Sequence, residues 1–156
     1  MLNDQTVALD KKIEAVALYL KRKSPNPAVD WSLPEMKQYV AFHMSRRTIN
    51  VCLDGDGVCG VVIAYRQRGQ EMRRWEWQES DEAGDTWWWA QLAADSPEIA
   101  IALVVDFGIS HPGSLIMQGG AKRNGVFRQY KPGGLLRELG KALRIYGLRT
   151  SGTSSN

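Results

Sequence analysis

The sequence predicts a single α+β domain, and three observations lead to this prediction. Apolar residues recur with helical spacing near the start of the chain, apolar and polar residues then alternate around a turn, and an apolar strand pattern later runs directly into a helix pattern. With 156 residues, 44% of them hydrophobic and 24% charged, the chain has the size and composition of an ordinary globular domain with its own core. We expect one domain over residues 1–149 and a polar tail over residues 150–156.

Two helices are predicted ahead of the sheet. Residues 4–23 carry an apolar stripe with helical spacing and end in three basic residues, which are favourable at a helix C-terminus. The prolines in residues 24–27 (SPNP) end this helix. Residues 32–35 (SLPE) have the pattern of a capping box, so a second helix begins there, with His43 on its inner side.

A hairpin follows over residues 48–66 and is the clearest β signal in the chain. Apolar and polar residues alternate up to residues 54–57 (DGDG), whose residue types tolerate the positive φ of a tight turn, and residues 58–65 form the return strand. Cys52 and Cys59 lie on either side of this turn. We interpret both as small buried hydrophobic residues, and the alternatives are a cross-hairpin pair or a nucleophile.

The centre of the predicted fold is residues 86–107 (TWWWAQLAADSPEIAIALVVDF), a strand followed by a helix. Strict alternation along the strand puts Trp87, Trp89, Gln91 and Ala93 on one face, and Trp88, Ala90, Leu92 and Ala94 on the other. Ser96 is a suitable helix cap, and Pro97 and Glu98 suit the first helical turn. The next residues are apolar on all sides, so a buried strand is the alternative to this helix.

The remaining elements are shorter. A strand is predicted at residues 73–79, ahead of the central unit, and two more follow it at residues 114–118 and 126–130. Residues 135–146 have the pattern of a leucine-rich closing helix.

The C-terminal part of the chain is basic, although the formal net charge is +3. Between residues 122 and 149 the one acidic residue is Glu138. The residues that we expect to bind a polyanion are Lys122, Arg123, Arg128, Lys131, Arg137, Lys141 and Arg144. The polyanion would be a nucleic acid, a phosphate-bearing cofactor or an acidic partner, and the alternative is a solvated charged surface.

The composition also limits compartment and partners. No segment has the length and apolar character of a membrane span, and two cysteines without a disulfide-framework spacing fit a reducing, cytoplasmic environment. We expect no membrane association, and no spacing of metal ligands is visible. Because three successive tryptophans, residues 87–89, cannot share one face of a strand, the second face needs a helix layer or a partner subunit over it. We expect self-association or a protein partner at the tryptophan-rich strands. The alternatives for these tryptophans are ordinary core packing and the wall of a ligand slot.

His43 is the best candidate for a general base, because the ordinary histidine pKa lies near neutrality. The alternative is a half-buried structural histidine near a helix C-terminus. His111 and Asp106 are further candidates, and their alternatives are a plain loop histidine and a capping or salt-bridging carboxylate.

The predicted order of helix, helix, hairpin, strand, helix, strand, strand and helix resembles the GNAT fold of the Gcn5-related N-acetyltransferases over residues 11–130. The resemblance implies a mixed, mostly antiparallel sheet with two N-terminal helices, a central helix and a C-terminal helix. In that family the N-terminus of the central helix binds the pyrophosphate of acetyl-CoA. It implies an acyl-CoA cofactor bound by Trp89, Leu92, Ala94 and Ser96.

A closer likeness is to short GNAT-like proteins of bacteriophages, and a more distant one is to the toxin-activating lysine acyltransferases. The residues that carry it are 87–107 and 122–139 (KRNGVFRQYKPGGLLREL). Gln91 corresponds to an aspartate on the central strand of the toxin-activating enzymes, and is therefore the second catalytic candidate. The phage likeness implies a location in the host cytoplasm or in the virion.

The helix junction departs from the family pattern. The acetyl-CoA loop of the family is Gln/Arg-x-x-Gly-x-Gly/Ala, whose backbone N–H groups hold the phosphates. Residues 94–99 (ADSPEI) lack glycine, Pro97 removes one N–H donor, and Asp95 and Glu98 put negative charge where a pyrophosphate would lie. Three hypotheses are open: an N-acyltransferase-like enzyme, a structural component of a phage particle with the same fold, and a nucleic-acid-binding module.

Overall fold

The computed structural model describes residues 4–23, 30–55, 57–68, 83–111, 114–118 and 127–130, and for residues 4, 114–118 and 127–130 it describes the backbone alone. In chain order the elements are α1 (Asp4–Lys23), α2 (Leu33–Ser45), β1 (Ile49–Asp54), β2 (Gly57–Gln67), β3 (Thr86–Ala94), α3 (Pro97–Ser110), β4 (Ser114–Gln118) and β5 (Phe127–Tyr130). The predicted strand at residues 73–79, the closing helix at residues 135–146 and the polar tail lie outside the described residues, and the domain boundary stays a prediction.

The five strands form one sheet in the order β1-β2-β3-β4-β5. The β1–β2, β2–β3 and β4–β5 pairs are antiparallel, and β3–β4 is parallel because α3 crosses between them. This mixed, mostly antiparallel sheet, with two N-terminal helices and a central helix, confirms the predicted α+β fold class.

Two helices begin at caps that the sequence predicts. At α2, the Ser32 hydroxyl accepts from the Glu35 amide at 3.4 Å, and the Glu35 carboxylate accepts from the Ser32 amide at 2.7 Å. At α3, the Ser96 hydroxyl accepts from the Ile99 amide at 3.3 Å, and Pro97 occupies the first turn. The apolar residues after Ser96 are therefore helical, and the alternative of a buried strand is wrong.

The sheet separates two apolar layers. On one face, α1 and α2 pack against β2 and β3 around Val16, Leu20, Met36, Val40, Val61, Ile63 and Ala93. On the other face, α3 packs through Leu103, Val104 and Phe107 against Val62, Ala64, Trp87 and Trp89. The α3 helix approaches the sheet closely at Gly60, where an added Cβ would lie 2.6 Å from Ile99 Cγ2 and 2.7 Å from Leu103 Cδ1. Burial on both faces explains why the central strands are apolar almost throughout.

A β-bulge at Ala90 interrupts the regular alternation of β3. Ile63 pairs with Gln91 and Ala64 pairs with Trp89, so Ala90 is the extra residue. Paired residues share a face of the sheet, so beyond the bulge Gln91 and Ala93 join Trp88 on the α1–α2 face. Leu92 and Ala94 join Trp87 and Trp89 on the α3 face. The predicted faces are therefore wrong from residue 91 onward, because alternation assumes no inserted residue.

Candidate functional site

The candidate site lies where β3 and β4 part. The two strands pair from Thr86↔Ser114 to Trp89↔Met117. Beyond that point β3 continues to Ala94 and pairs with β2 on one side. Within the described ranges, no strand pairs with the other side of residues 90–94, which we call the open edge. An unpaired strand edge presents N–H and C=O groups that an extended ligand can bind.

The side chains of the open edge leave room for a ligand to approach the backbone. Three of its five residues are alanines, Ala90, Ala93 and Ala94. The other two are Leu92, which packs under α3, and Gln91, which points to the α1–α2 face. The small side chains and the bulge at Ala90 lie together at the point where the strands part.

Gln91 is the buried polar residue of the open edge. It is 5% exposed, and neither its side-chain oxygen nor its nitrogen has a hydrogen-bond partner among the described residues. Leaving a buried amide unsatisfied costs about 1–3 kcal/mol. The Trp89 indole nitrogen, on the opposite face, is likewise buried without a partner in the described part of the chain. The two orphan groups flank the bulge, one on each face of the sheet.

The N-terminus of α3 follows the open edge directly. The Ile99 amide donates to the Ser96 hydroxyl, the Ala100 amide donates to the Ser96 carbonyl at 3.0 Å, and Pro97 has no N–H. Among the described residues, the Glu98 amide is then the first-turn donor left for a ligand, and the Glu98 side chain is exposed beside it. A phosphate at this position would meet one N–H and one carboxylate.

Asp95 bonds toward α1 while its side chain stays partly exposed. Its carboxylate accepts from the Tyr19 hydroxyl at 3.1 Å and lies 3.2 Å from the Lys23 ammonium, while its amide donates to the Cys59 carbonyl at 2.9 Å. The Tyr19 hydroxyl also lies 2.9 Å from that carbonyl. The negative charge of Asp95, which the sequence places against a bound pyrophosphate, is thus compensated in part by Lys23. The half-exposed ion pair itself contributes little to stability.

Burial and the Asp95 carboxylate raise the pKa of Tyr19 well above its usual range, so its hydroxyl stays protonated and donates. Tyr19 and Lys23 are residues of the junction that the sequence analysis missed. In the sequence, these two residues are marked only by a tyrosine on the buried side of α1 and by the basic last turn of that helix. No local pattern links that helix end to a junction 76 residues later.

His43 lies in the core at the end of α2. It is 2% exposed, its Nδ1 lies 2.7 Å from the Thr48 hydroxyl, and Tyr39 and Phe42 meet its ring edge-on at 4.5 and 5.1 Å. Burial lowers the pKa of His43 to about 4, with a smaller contribution from Arg46. The imidazole is therefore neutral at pH 7, and its predicted role as a general base stays a prediction.

The predicted acyl-CoA residues fall into one region. Trp89, Leu92 and Ala94 share the α3 face, and Ser96 caps α3 at the end of the same strand. Trp89 packs edge-on against Phe107, with ring centroids 5.9 Å apart, so it belongs to the core beneath α3. Their role in cofactor binding stays a prediction.

The other predicted site residues are described in part or not at all. Among the polyanion residues, Arg128 lies in β5, and Lys122, Arg123, Lys131, Arg137, Lys141 and Arg144 lie outside the described residues. His111 stacks on Phe107 at 4.2 Å, and Asp106 accepts from Asn50 at 2.8 Å. Within the described ranges, no three metal-binding side chains come together.

The two cysteines are free thiols on the facing strands β1 and β2. Burial and the neighbouring Cys52 thiol raise the pKa of Cys59 to about 11. A thiol with a raised pKa is a poor nucleophile at neutral pH, because the thiolate is the reactive form.

None of the helices in the described part of the chain has the length and apolar character needed to cross a bilayer.

Comparisons with known proteins find a distant likeness among solved structures. No protein-family model and no curated protein sequence matches the chain. Among solved structures, the chain is similar to the GNAT-like decarboxylase GphF in complex with isobutyryl-CoA, with 18% sequence identity and a TM-score of 0.49. The match covers 74% of this chain and 66% of that one, so the chain spans just under two thirds of its length. The likeness assigns neither an activity nor a ligand to this chain.

Proposed function

We propose that the chain is a GNAT-like acyltransferase-type protein that binds an acyl thioester of coenzyme A along the open edge. The observation that carries the proposal is that, among the described residues, the β3–β4 pairing ends at Trp89 while β3 runs on to Ala94 beside the start of α3. The pantetheine arm of coenzyme A is extended and carries two amides, so it can pair with an unpaired strand edge. Its phosphates would then lie at the N-terminus of α3.

The junction supports weak retention of the phosphates. Lys23 compensates Asp95, but Glu98 keeps a carboxylate beside the remaining N–H donor. Most of the affinity is then expected from the pantetheine and acyl parts of the ligand.

Transfer chemistry receives less support than binding. Gln91 has no titrating proton, and the pKa of His43 lies at about 4, too low for an efficient base at neutral pH. We propose that any transfer uses an acceptor amine that has already lost its proton. The virion-component and nucleic-acid-binding hypotheses stay predictions of the sequence. The basic side chains from residue 122 onward are not described, and the described tryptophans of β3 are buried within the fold.

Calorimetric titration with acetyl-CoA and with pantetheine tests the proposal. Glu98→Lys should raise the affinity for acetyl-CoA about tenfold, because it replaces a repulsive charge near the phosphates by an attractive one. The affinity for pantetheine, which has no phosphate, should not change. Ile109→Lys is the control, because it adds a positive charge at the other end of α3 on a residue that is 67% exposed.

Two results would overturn the proposal. One is the absence of acetyl-CoA binding at millimolar concentration in both the parent protein and Glu98→Lys. The other is an equal gain in affinity for Glu98→Lys and Ile109→Lys, which would show attraction by overall charge without a site at the start of α3.

A further inference from the structure

The buried amide of Gln91 is the one feature of the open edge that the proposed binding of pantetheine does not use. Pantetheine pairing involves the backbone of residues 90–94, whereas the Gln91 side chain leaves the strand toward the α1–α2 face. Both of its polar atoms are buried without a partner among the described residues. Buried amides are normally hydrogen-bonded, so an orphan amide next to a ligand edge indicates a bond that the ligand completes.

The position of Gln91 along the strand indicates which part of the ligand it meets. It follows the last β3–β4 pair and the bulge, and it lies four residues before Asp95. Four strand residues span about 13 Å, which is comparable with an extended pantetheine arm. A ligand with its phosphates at α3 would therefore bring its acyl end to Gln91.

The surroundings of Gln91 indicate a neutral ligand group. Its cross-strand partner is Ile63, and its neighbours along the same face are Ala90 and Ala93. Among the described residues, the ionisable side chains buried on the α1–α2 side are Tyr19, Tyr39, Tyr65 and His43, and all four are uncharged at neutral pH. The Lys23–Asp95 pair lies at the far end of the open edge, and Lys37 binds Asp10 and Glu14 between α1 and α2. A charged acyl group would be buried there without a counter-ion, which is unfavourable.

We propose that Gln91 makes the site selective for acyl groups that carry a neutral hydrogen-bonding group, such as a hydroxyl or a carboxamide, over alkyl groups and carboxylates. This inference rests on the proposed binding of acyl-CoA. A primary amide offers two donors and one acceptor, so it can bond a hydroxyl in either direction. A site with a buried polar group discriminates against ligands that leave that group unpaired.

Three acyl-CoA probes with four-carbon acyl groups test the proposal by calorimetry: butyryl-CoA, 3-hydroxybutyryl-CoA and succinyl-CoA. The parent protein should bind 3-hydroxybutyryl-CoA about tenfold more tightly than butyryl-CoA, and succinyl-CoA less tightly than either. Gln91→Met keeps the length of the side chain and removes its hydrogen bonds, so the preference should fall to within about twofold. Gln38→Met, an exposed change on α2, should leave the preference unaltered.

Thermal unfolding without ligand provides a second readout. Gln91→Met should unfold at a higher temperature than the parent, because an apolar side chain replaces an unsatisfied amide. If Gln91 instead makes a hydrogen bond within the folded protein, Gln91→Met should unfold at a lower temperature than the parent.

The outcomes separate this inference from the proposed function. If butyryl-CoA binds and 3-hydroxybutyryl-CoA binds no more tightly in the parent protein, the inference falls and the proposed function stands. A preference that persists in Gln91→Met also overturns the inference. If none of the three probes binds, the proposed function falls and this inference falls with it.

Discussion

The two halves of β3 differ in their residues and in their partners. The closed half, residues 86–89, carries three tryptophans and pairs with β2 on one side and β4 on the other. The open edge, residues 90–94, carries three alanines and pairs with β2 alone among the described strands. The change from one to the other occurs at a single bulged residue, Ala90.

Two buried polar side chains, His43 near the closed half and Gln91 in the open edge, differ in their hydrogen bonding. His43 is bonded to Thr48, whose carbonyl accepts from Ala64 at 3.0 Å, and Ala64 pairs with Trp89 in the closed half. Gln91, in the open edge, has no described partner. A satisfied buried group stabilises a unique core, whereas an unsatisfied one lowers stability and is available to a ligand. The closed half also holds an unsatisfied group, the Trp89 indole nitrogen, which has no partner among the described residues. We therefore assign its stability to the packing of its tryptophans, and we assign recognition to the open edge.

Trp88→Ala should give the largest loss of stability. Trp88 is 1% exposed and packs with Tyr65 on the α1–α2 face, so its truncation leaves a large cavity in the closed half. The free energy of unfolding should fall by about 3–5 kcal/mol, as measured by urea denaturation.

Leu53→Ala is the control for Trp88→Ala, because Leu53 lies in the same sheet and is 51% exposed. Its effect should stay within about 0.5 kcal/mol. A loss below about 1 kcal/mol for Trp88→Ala would show that the closed half is not the stable part of β3.

The stability of the protein should also depend on pH through His43. The pKa of this residue in the folded protein is about 4, below its ordinary 6.5, because burial disfavours the charged imidazole. As the pH falls through 6.5, the unfolded chain therefore takes up a proton that the folded protein does not. The free energy of unfolding is therefore unaffected by the titration of His43 above pH 6.5 and falls as the pH drops from 6.5 toward 4. Between pH 7 and pH 5 it should fall by about 2 kcal/mol.

His43→Gln is the control for this pH dependence. Glutamine can keep a hydrogen bond to Thr48 but does not titrate, so the variant should lose stability more gradually over the same pH range. Parallel stability curves for the two proteins would contradict the pKa of about 4 and the account of His43 as a neutral core residue.

The fold is predictable from the sequence because its signals are local. The capping box at Ser32, the Ser96 and Pro97 helix start and the turn at Gly55, where φ is 59°, each depend on a few adjacent residues. These signals place α2, α3 and the first hairpin close to their observed bounds.

The candidate site was harder to predict because it depends on contacts distant in sequence. A bulge adds one residue without any change of residue type, so nothing in the sequence marks Ala90, and every face beyond it is misassigned. The bond between Tyr19 and Asp95 joins residues 76 positions apart, so the sequence shows the charge of Asp95 without its partners. The burial of Gln91 is likewise a property of the packed helices on its face.

Gly60→Ala tests the link between the open edge and α3, and its effect should be the smallest of the three. Gly60 pairs with Ala94, and a Cβ there would lie 2.6 Å from Ile99 Cγ2 and 2.7 Å from Leu103 Cδ1. Leu103 Cδ1 ends a flexible side chain, whereas Ile99 Cγ2 branches from Cβ and moves only if its χ1 angle or α3 shifts, so we expect a loss of roughly 1–2 kcal/mol. Gly57→Ala is the matched control in the same strand, because its Cβ would meet the Asp54 carbonyl at an ordinary 3.5 Å. Equal losses of unfolding free energy for Gly60→Ala and Gly57→Ala in urea denaturation would show that α3 does not pack closely against the sheet beside the open edge.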